Sequence, residues 1–191
     1  MKVLALLGSP RKKGNTESLL AAVLEGVAAA GGEAERIRLC DLRIDPCIGC
    51  GGCGKTGRCV LTDDMQDLYP KIGEADRVIL ASPIYFYGIT AQAKAFVDRC
   101  QALWSWKHLC LEKGEWHPDP KRKGFLVAVA ATQGARVFEG AILTARYAFD
   151  AMGLTYGGEF AVKGFDAPGE AARDAEVLAR AREAGRKLMA G

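Results

Sequence analysis

Four of the seven cysteines lie in one short stretch, "CIGCGGCGKTGRC", from Cys47 to Cys59. Their order is C-x2-C-x2-C-x5-C, through Cys50 and Cys53. Thiols at such spacing point to metal or redox chemistry. From Gly49 the same letters, "GCGGCGKT", also match the phosphate-binding pattern G-x-x-x-x-G-K-T. The two readings need different local structures. A phosphate loop joins a strand directly to a helix that begins at its Gly-Lys-Thr. Here Pro46 and the cysteines precede Lys55, and Gly57 follows Thr56 and weakens such a helix. The next helix signal comes later, with Asp63 or Asp64 as its N-cap. The surrounding elements therefore speak against the nucleotide reading.

Those elements alternate. Residues 3–7, 77–85 and 124–132 are apolar runs that read as strands buried on both faces. Residues 33–39 and 154–162 complete a set of five. Helical periodicity predicts helices over 16–30, 63–72, 90–106, 138–152 and 169–189. Repeated βα order implies a parallel sheet with helices on both faces. We expect one domain over 1–191, with a cysteine-rich loop at 46–62 and an irregular insertion at about 107–123. The insertion, with Trp116, Pro118 and Pro120, reads either as a cover over a ligand or subunit contact, or as a surface loop with packed aromatics.

In a doubly wound sheet, ligands sit beyond the carboxyl ends of the strands. The first such end is "GSPRKKGNT", residues 8–16. Gly8 and Gly14 allow a tight loop. Ser9, Asn15 and Thr16 offer polar donors, Arg11 offers charge, and a helix N-terminus stands behind. This suits a phosphate, whereas G-x-G-x-x-G is absent. The second end, "SPIYFYG", brings Pro83, Ile84, Tyr85, Phe86, Tyr87 and Gly88, with aromatics able to stack on a flat ring. The third, "ATQGAR", adds Thr132, Gln133 and Gly134. Together they fit a mononucleotide with a large planar head.

These loops resemble the flavodoxin-like FMN reductase superfamily over nearly the whole chain. "GSPRKKGNT" is similar to its phosphate loop and "SPIYFYGITAQAKAFVDR" to its isoalloxazine loop and following helix. The resemblance implies a flavodoxin-like five-stranded sheet of order 2-1-3-4-5, non-covalent FMN and a homodimer or homotetramer. By that similarity Ser9, Arg11, Asn15 and Thr16 hold the phosphate, and residues 83–88 hold the ring and ribityl chain.

Within the superfamily the cysteine spacing resembles the iron–sulfur flavoproteins. That implies a [4Fe–4S] cluster on Cys47, Cys50, Cys53 and Cys59, around which the interleaved glycines let the backbone wrap and bring N–H groups near sulfur. Zinc is the main metal alternative, although structural zinc sites usually pair two C-x2-C knuckles across a long insert. A cage holding no metal, acting through thiols or disulfides, is another. Lys55 and Arg58 would offset thiolate charge or attract an acidic electron donor. Cys40, Cys100 and Cys110 read as buried or half-buried thiols.

The expected function is FMN-dependent electron transfer between a ferredoxin-like one-electron carrier and a small two-electron acceptor. The alternative is an NAD(P)H-dependent FMN or quinone reductase whose cysteine loop carries no cluster. A non-enzymatic redox or oxygen sensor is a third reading. A formal charge of +3 gives no reason to expect nucleic acid as a partner, and no apolar run is long enough to span a bilayer. The cysteine usage and the absence of a signal-peptide pattern imply a cytoplasmic protein. His108 and His117 stand apart from any nucleophile, so no hydrolytic triad and no side-chain acid or base is expected.

Overall fold

Along the first strand Val3, Ala5 and Leu7 face one way and Leu4 and Leu6 the other, and all five are buried. That period-2 pattern with apolar residues on both faces requires cover on both sides. A computed structural model, which describes residues 1–190, shows how the cover is supplied. In chain order the elements are β1 (Lys2–Leu7), α1 (Asn15–Ala29), β2 (Glu33–Arg38), a 3-10 turn (Leu39–Asp41), α2 (Cys53–Thr56), α3 (Met65–Glu74), β3 (Arg77–Pro83), α4 (Ala91–Arg99), α5 (Gln101–Glu112), β4 (Lys123–Ala130), α6 (Glu139–Ala151), β5 (Thr155–Lys163), α7 (Glu170–Arg173) and α8 (Ala175–Met189). The five strands are parallel, in the order β2-β1-β3-β4-β5. The chain leaves β1 for β2 on one side and returns to β3 on the other, so the switch point lies between β1 and β3.

One face of the sheet is covered by α1 and α8, through Leu19, Leu20, Val23 and Val27 against Val177, Ala181 and Leu188. The other is covered by α3, α4 and α6, through Met65, Leu68, Phe96, Ala145 and Phe149. The α1–α8 contact is made by backbone. A Cβ at Gly26 would lie 1.9 Å from the Arg182 carbonyl oxygen, and one at Gly185 would lie 2.0 Å from that of Val23. Only glycine permits this approach.

Several elements depart from the sequence reading. The helix expected over 90–106 is two helices, broken at Cys100. There the Cys100 N–H bonds the Val97 carbonyl and the Leu103 N–H bonds the Cys100 carbonyl, both three residues back. The second helix continues to Glu112, so only the stretch after it is irregular: no breaker occurs before Gly114. Trp116 packs on Gly153, and Lys107 Nζ lies 5.6 Å from the Trp116 ring centre. The final helix is split at Asp174, whose carboxylate caps α8 by accepting the Val177 N–H at 2.9 Å. Among the described residues no helix is long and apolar enough to cross a membrane.

Candidate functional site

The chain places two groups of candidate residues at the two ends of α4. The first group sits at the switch point. Ser9, Arg11, Gly14, Asn15 and Thr16 face Pro83, Ile84 and Tyr85 across a narrow cleft of about 80 Å³, with Phe165 and Asp166 alongside. The cleft has room for a small anion and none for a tricyclic ring. Gly14 precedes α1, and no side chain caps that helix. The N–H groups of its first turn therefore point toward the cleft without a capping side chain, at the positive end of a 15-residue helix. Thr16 is 2% exposed on this turn.

Asn15 does a different job from the one its type suggested. Its Nδ2 donates to the Ala167 carbonyl at 3.0 Å, and its Oδ1 accepts the Ala171 N–H at 3.0 Å. Both ends of the amide brace the segment after β5. Arg11 also reaches this segment, donating from Nη1 to the Asp166 carbonyl at 3.1 Å. The sequence reading missed that segment because its contacts come from the far end of the chain. It also missed Thr90, whose Oγ1 donates to the Gly8 carbonyl at 2.6 Å and accepts the Ala93 N–H as the cap of α4. Thr90 thus ties the first loop to the second. A threonine just ahead of a helical run was the available signal.

The second loop is a tight turn. Tyr85 and Gly88 exchange N–H···O bonds at 2.9 and 3.0 Å. Between them Phe86 and Tyr87 have φ of 48° and 64°. Bulky residues are strained there by about 1–3 kcal/mol each, and such strain gathers at functional sites. Phe86 is fully exposed, and Tyr85 and Tyr87 are exposed. An exposed aromatic turn beside an anion cleft fits a flavin mononucleotide: the phosphate on the helix end, the ring against the turn.

The third loop lies beside the aromatic turn and outside the small cleft. Thr132, Gln133 and Gly134 do not line the cleft; Ala131 does. Gly134 instead makes room for the neighbouring turn, since a Cβ there would lie 2.5 Å from Tyr87 Oη. Gln133 folds over Gly164, whose φ of +86° requires a residue without a side chain.

At the other end of α4 are the cysteines. Residues 43–52 have no regular structure, with Gly49 and Gly51 at positive φ. The turn α2 then ends at Gly57, with φ +70°, where a Cβ would lie 3.0 Å from Trp106 Cα. Lys55 and Thr56 thus close a helical turn instead of opening a helix, and the phosphate-loop match has no structural counterpart. Cys47, Cys50, Cys53 and Cys59 all line one cavity of about 300 Å³, whose opposite wall is α4 and α5. All are free thiols.

Asp64 holds the N-cap position of α3, and Asp63 Oδ1 accepts the Met65 N–H at 3.2 Å while its carboxylate is buried under this loop. Arg99 grips it with two bonds, Nη1 to Oδ2 at 2.5 Å and Nη2 to Oδ1 at 3.0 Å. Arg99 Nη1 also donates to the Asp45 carbonyl at 2.9 Å, and the Asp45 N–H donates to Asp63 at 2.9 Å. The pair thereby staples the two stems of the cysteine loop together. Burial raises the Asp63 carboxyl, but the Arg99 and backbone hydrogen bonds outweigh it and hold the group below its ordinary range.

Among the described residues no three His, Cys, Asp or Glu side chains form a ligand set for one metal ion. Tetrahedral zinc with sulfur ligands at ~2.3 Å brings its sulfurs within about 3.8 Å of one another. A cubane presents four separate iron corners, so its thiolates stand farther apart around a larger space. Four thiols on one cavity have the donor chemistry that a cluster would need.

The model of the NADPH-dependent FMN reductase family matches residues 1–164. An iron–sulfur flavoprotein of Methanocaldococcus jannaschii is 45% identical over 103 residues, 54% of this chain and 53% of that one. An iron–sulfur flavoprotein of Archaeoglobus fulgidus is 46% identical over 99 residues, 52% of this chain and 45% of that one. The chain thus spans about half the length of the curated relatives it matches. Among solved structures, an NAD(P)H:quinone oxidoreductase from Methanothermobacter marburgensis superposes with a TM-score of 0.72 at 21% identity, covering 98% of this chain and 96% of that one. A flavone reductase gives 0.72 at 20% identity, over 99% of this chain and 62% of that one. These structures share the flavodoxin-like architecture seen here, and the chain belongs to the NADPH-dependent FMN reductase family.

Proposed function

We propose that this chain is an iron–sulfur flavoprotein: a flavin-dependent oxidoreductase that binds FMN at the switch point and a [4Fe–4S] cluster on Cys47, Cys50, Cys53 and Cys59. The observation that carries the reading is the shared helix. One element, α4, holds the anion cleft at its N-cap, Thr90, and the four-thiol cavity at its last residue, Arg99. When bound, the flavin supplies two-electron chemistry and the cluster one-electron transfer.

The chain's own residues position and insulate. The N–H groups at the start of α1, with Ser9, Arg11 and Thr16, receive the phosphate. Tyr85, Phe86, Tyr87 and Gly88 present aromatic surface and backbone to the ring, with Pro83 and Ile84 beneath and Gly134 leaving space for Tyr87. Lys55 and Arg58, both exposed, lie beside the cysteine cavity and favour an acidic, ferredoxin-like electron donor. The two sites lie at opposite ends of the nine-residue α4, and a working homodimer or homotetramer would let one chain's cysteine site approach its neighbour's flavin. A small molecule would then accept the electron pair at the exposed face of the turn. Seven cysteines outside any disulfide support a cytoplasmic setting.

A second reading is supported by the family itself and by the quinone oxidoreductase neighbour: NAD(P)H reduces FMN directly and the cysteines carry no cluster. Anaerobic purification with iron, acid-labile sulfide and flavin assayed per chain separates the two. The proposal expects about four each of iron and sulfide with one FMN; flavin with neither, or with zinc, sinks it. Cys53→Ser should abolish the iron and leave FMN in place, and loss of both together contradicts two separate sites. Rapid flavin bleaching by NADPH, with none by reduced ferredoxin, would favour the second reading.

A further inference from the structure

Ser105 is 3% exposed in the middle of α5, on the wall of the cysteine cavity. A serine inside a helix ordinarily turns its hydroxyl to the carbonyl one turn back or out to solvent. This one is directed across to α2: Ser105 Oγ donates to Cys53 Sγ at 3.6 Å. Its oxygen accepts from Gln101 Nε2 at 3.5 Å. The order is therefore Gln101 to Ser105 to Cys53, each donor polarising the next. The same wall shows a second sign that it faces an acceptor. Arg99 Nε is buried there with no hydrogen-bond partner among the described residues, while both Nη atoms are engaged below. A buried guanidinium N–H left without an acceptor is costly, and a sulfur-rich anionic occupant of the cavity would relieve that cost.

We infer that Ser105 is a positioning residue for Cys53, and that its hydroxyl, aligned by Gln101, fixes the sulfur and sets how readily the occupant of the cysteine cage takes up an electron. The inference rests on the cluster reading above. A hydrogen bond to a ligand sulfur withdraws charge from it and favours the reduced, more negative state. Removing the bond therefore makes reduction harder without removing a ligand. Alanine at this position is a good helix residue, so the change does not disturb α5.

The test is a potentiometric titration of the anaerobically purified full chain, reading cluster and flavin signals separately. S105A should keep wild-type iron, sulfide and FMN, keep the flavin midpoint, and shift the cluster midpoint negative. At a fixed poise the ratio of reduced to oxidised cluster should fall about fivefold, the worth of one neutral hydrogen bond. S105T, which retains a hydroxyl, should restore most of the shift. An unshifted cluster midpoint in S105A overturns the inference. So does a threonine variant that behaves like the alanine one, because then packing and not the hydroxyl is what counts. Wild-type protein without iron and sulfide overturns the cluster reading itself, a result distinct from either of these.

Discussion

At one end of α4, Thr90 holds Gly8 by a hydrogen bond to backbone, and Gly8 itself bonds the Ala81 carbonyl of β3 at 2.8 Å. The cleft there is an extension of the sheet. At the other end, Arg99 holds Asp63 and Asp45, Arg43 exchanges hydrogen bonds with Asp64, and Ile44 packs on the core, while residues 43–52 form no helix or strand. The strand-end cleft inherits its shape from buried strands and needs no ligand to keep it. The cysteine loop is anchored at its stems, above all by one buried ion pair, and carries no helix or strand before α2. A site on strand ends is preformed; a site on a stapled loop is completed by its occupant.

The comparison breaks most sharply at the staple. Arg99→Met leaves a buried carboxylate unpaired and should cost about 3–5 kcal/mol in urea unfolding. The cysteine loop should become sensitive to protease well below that denaturant concentration; a loop as protected as in the wild type would refute the stapled picture. The same contact dictates an acid limit. The Asp63 carboxyl is held below its ordinary value, so its stabilisation is complete above about pH 4 and is lost as pH falls through the folded value. Fluorescence of Trp104 and Trp106, on the neighbouring helix α5, should report that loss before the sheet unfolds.

A smaller effect sharpens the other side. Thr16→Ala removes one donor to a charged phosphate, worth about 1.5–3 kcal/mol. FMN affinity by fluorescence titration should weaken by roughly 10- to 150-fold, while riboflavin, lacking the phosphate, should bind as before. Equal weakening of both would move the phosphate elsewhere. The smallest effect concerns Phe86. Phe86→Gly relieves a strained positive φ and should stabilise the FMN-free chain by about 1 kcal/mol. The lost stacking surface should weaken FMN by about 2- to 10-fold. A variant that gains stability at no cost in affinity would remove Phe86 from the ring site.

The three central strands were legible as apolar runs, two of them ended by Gly, Ser or Pro, as at Leu7 to Pro10 and Ala81 to Pro83. The anion cleft was legible for the same reason: its loops are strand ends, adjacent once the order is known. The staple was not. Asp63 and Arg99 are 36 residues apart, and an aspartate before a helical run reads as a cap until its partner is seen. The strained turn was hidden too, because Phe86-Tyr87 carries none of the Gly or Asn that marks positive φ. Nor did the break at Cys100 show, since no Gly or Pro accompanies it. Ser105 gave no signal at all, because its meaning lies in a sulfur on another element.

The backbone contact of α1 with α8 has a further consequence. The cleft takes its positive end from α1, so the direction of that end is decided by how closely α8 lies behind it. Gly26 and Gly185 thus act as a hinge stop, limiting where the helix can aim. In a library scored by retained yellow colour, both positions would stand out beside the ligand contacts, although neither comes near the cofactor.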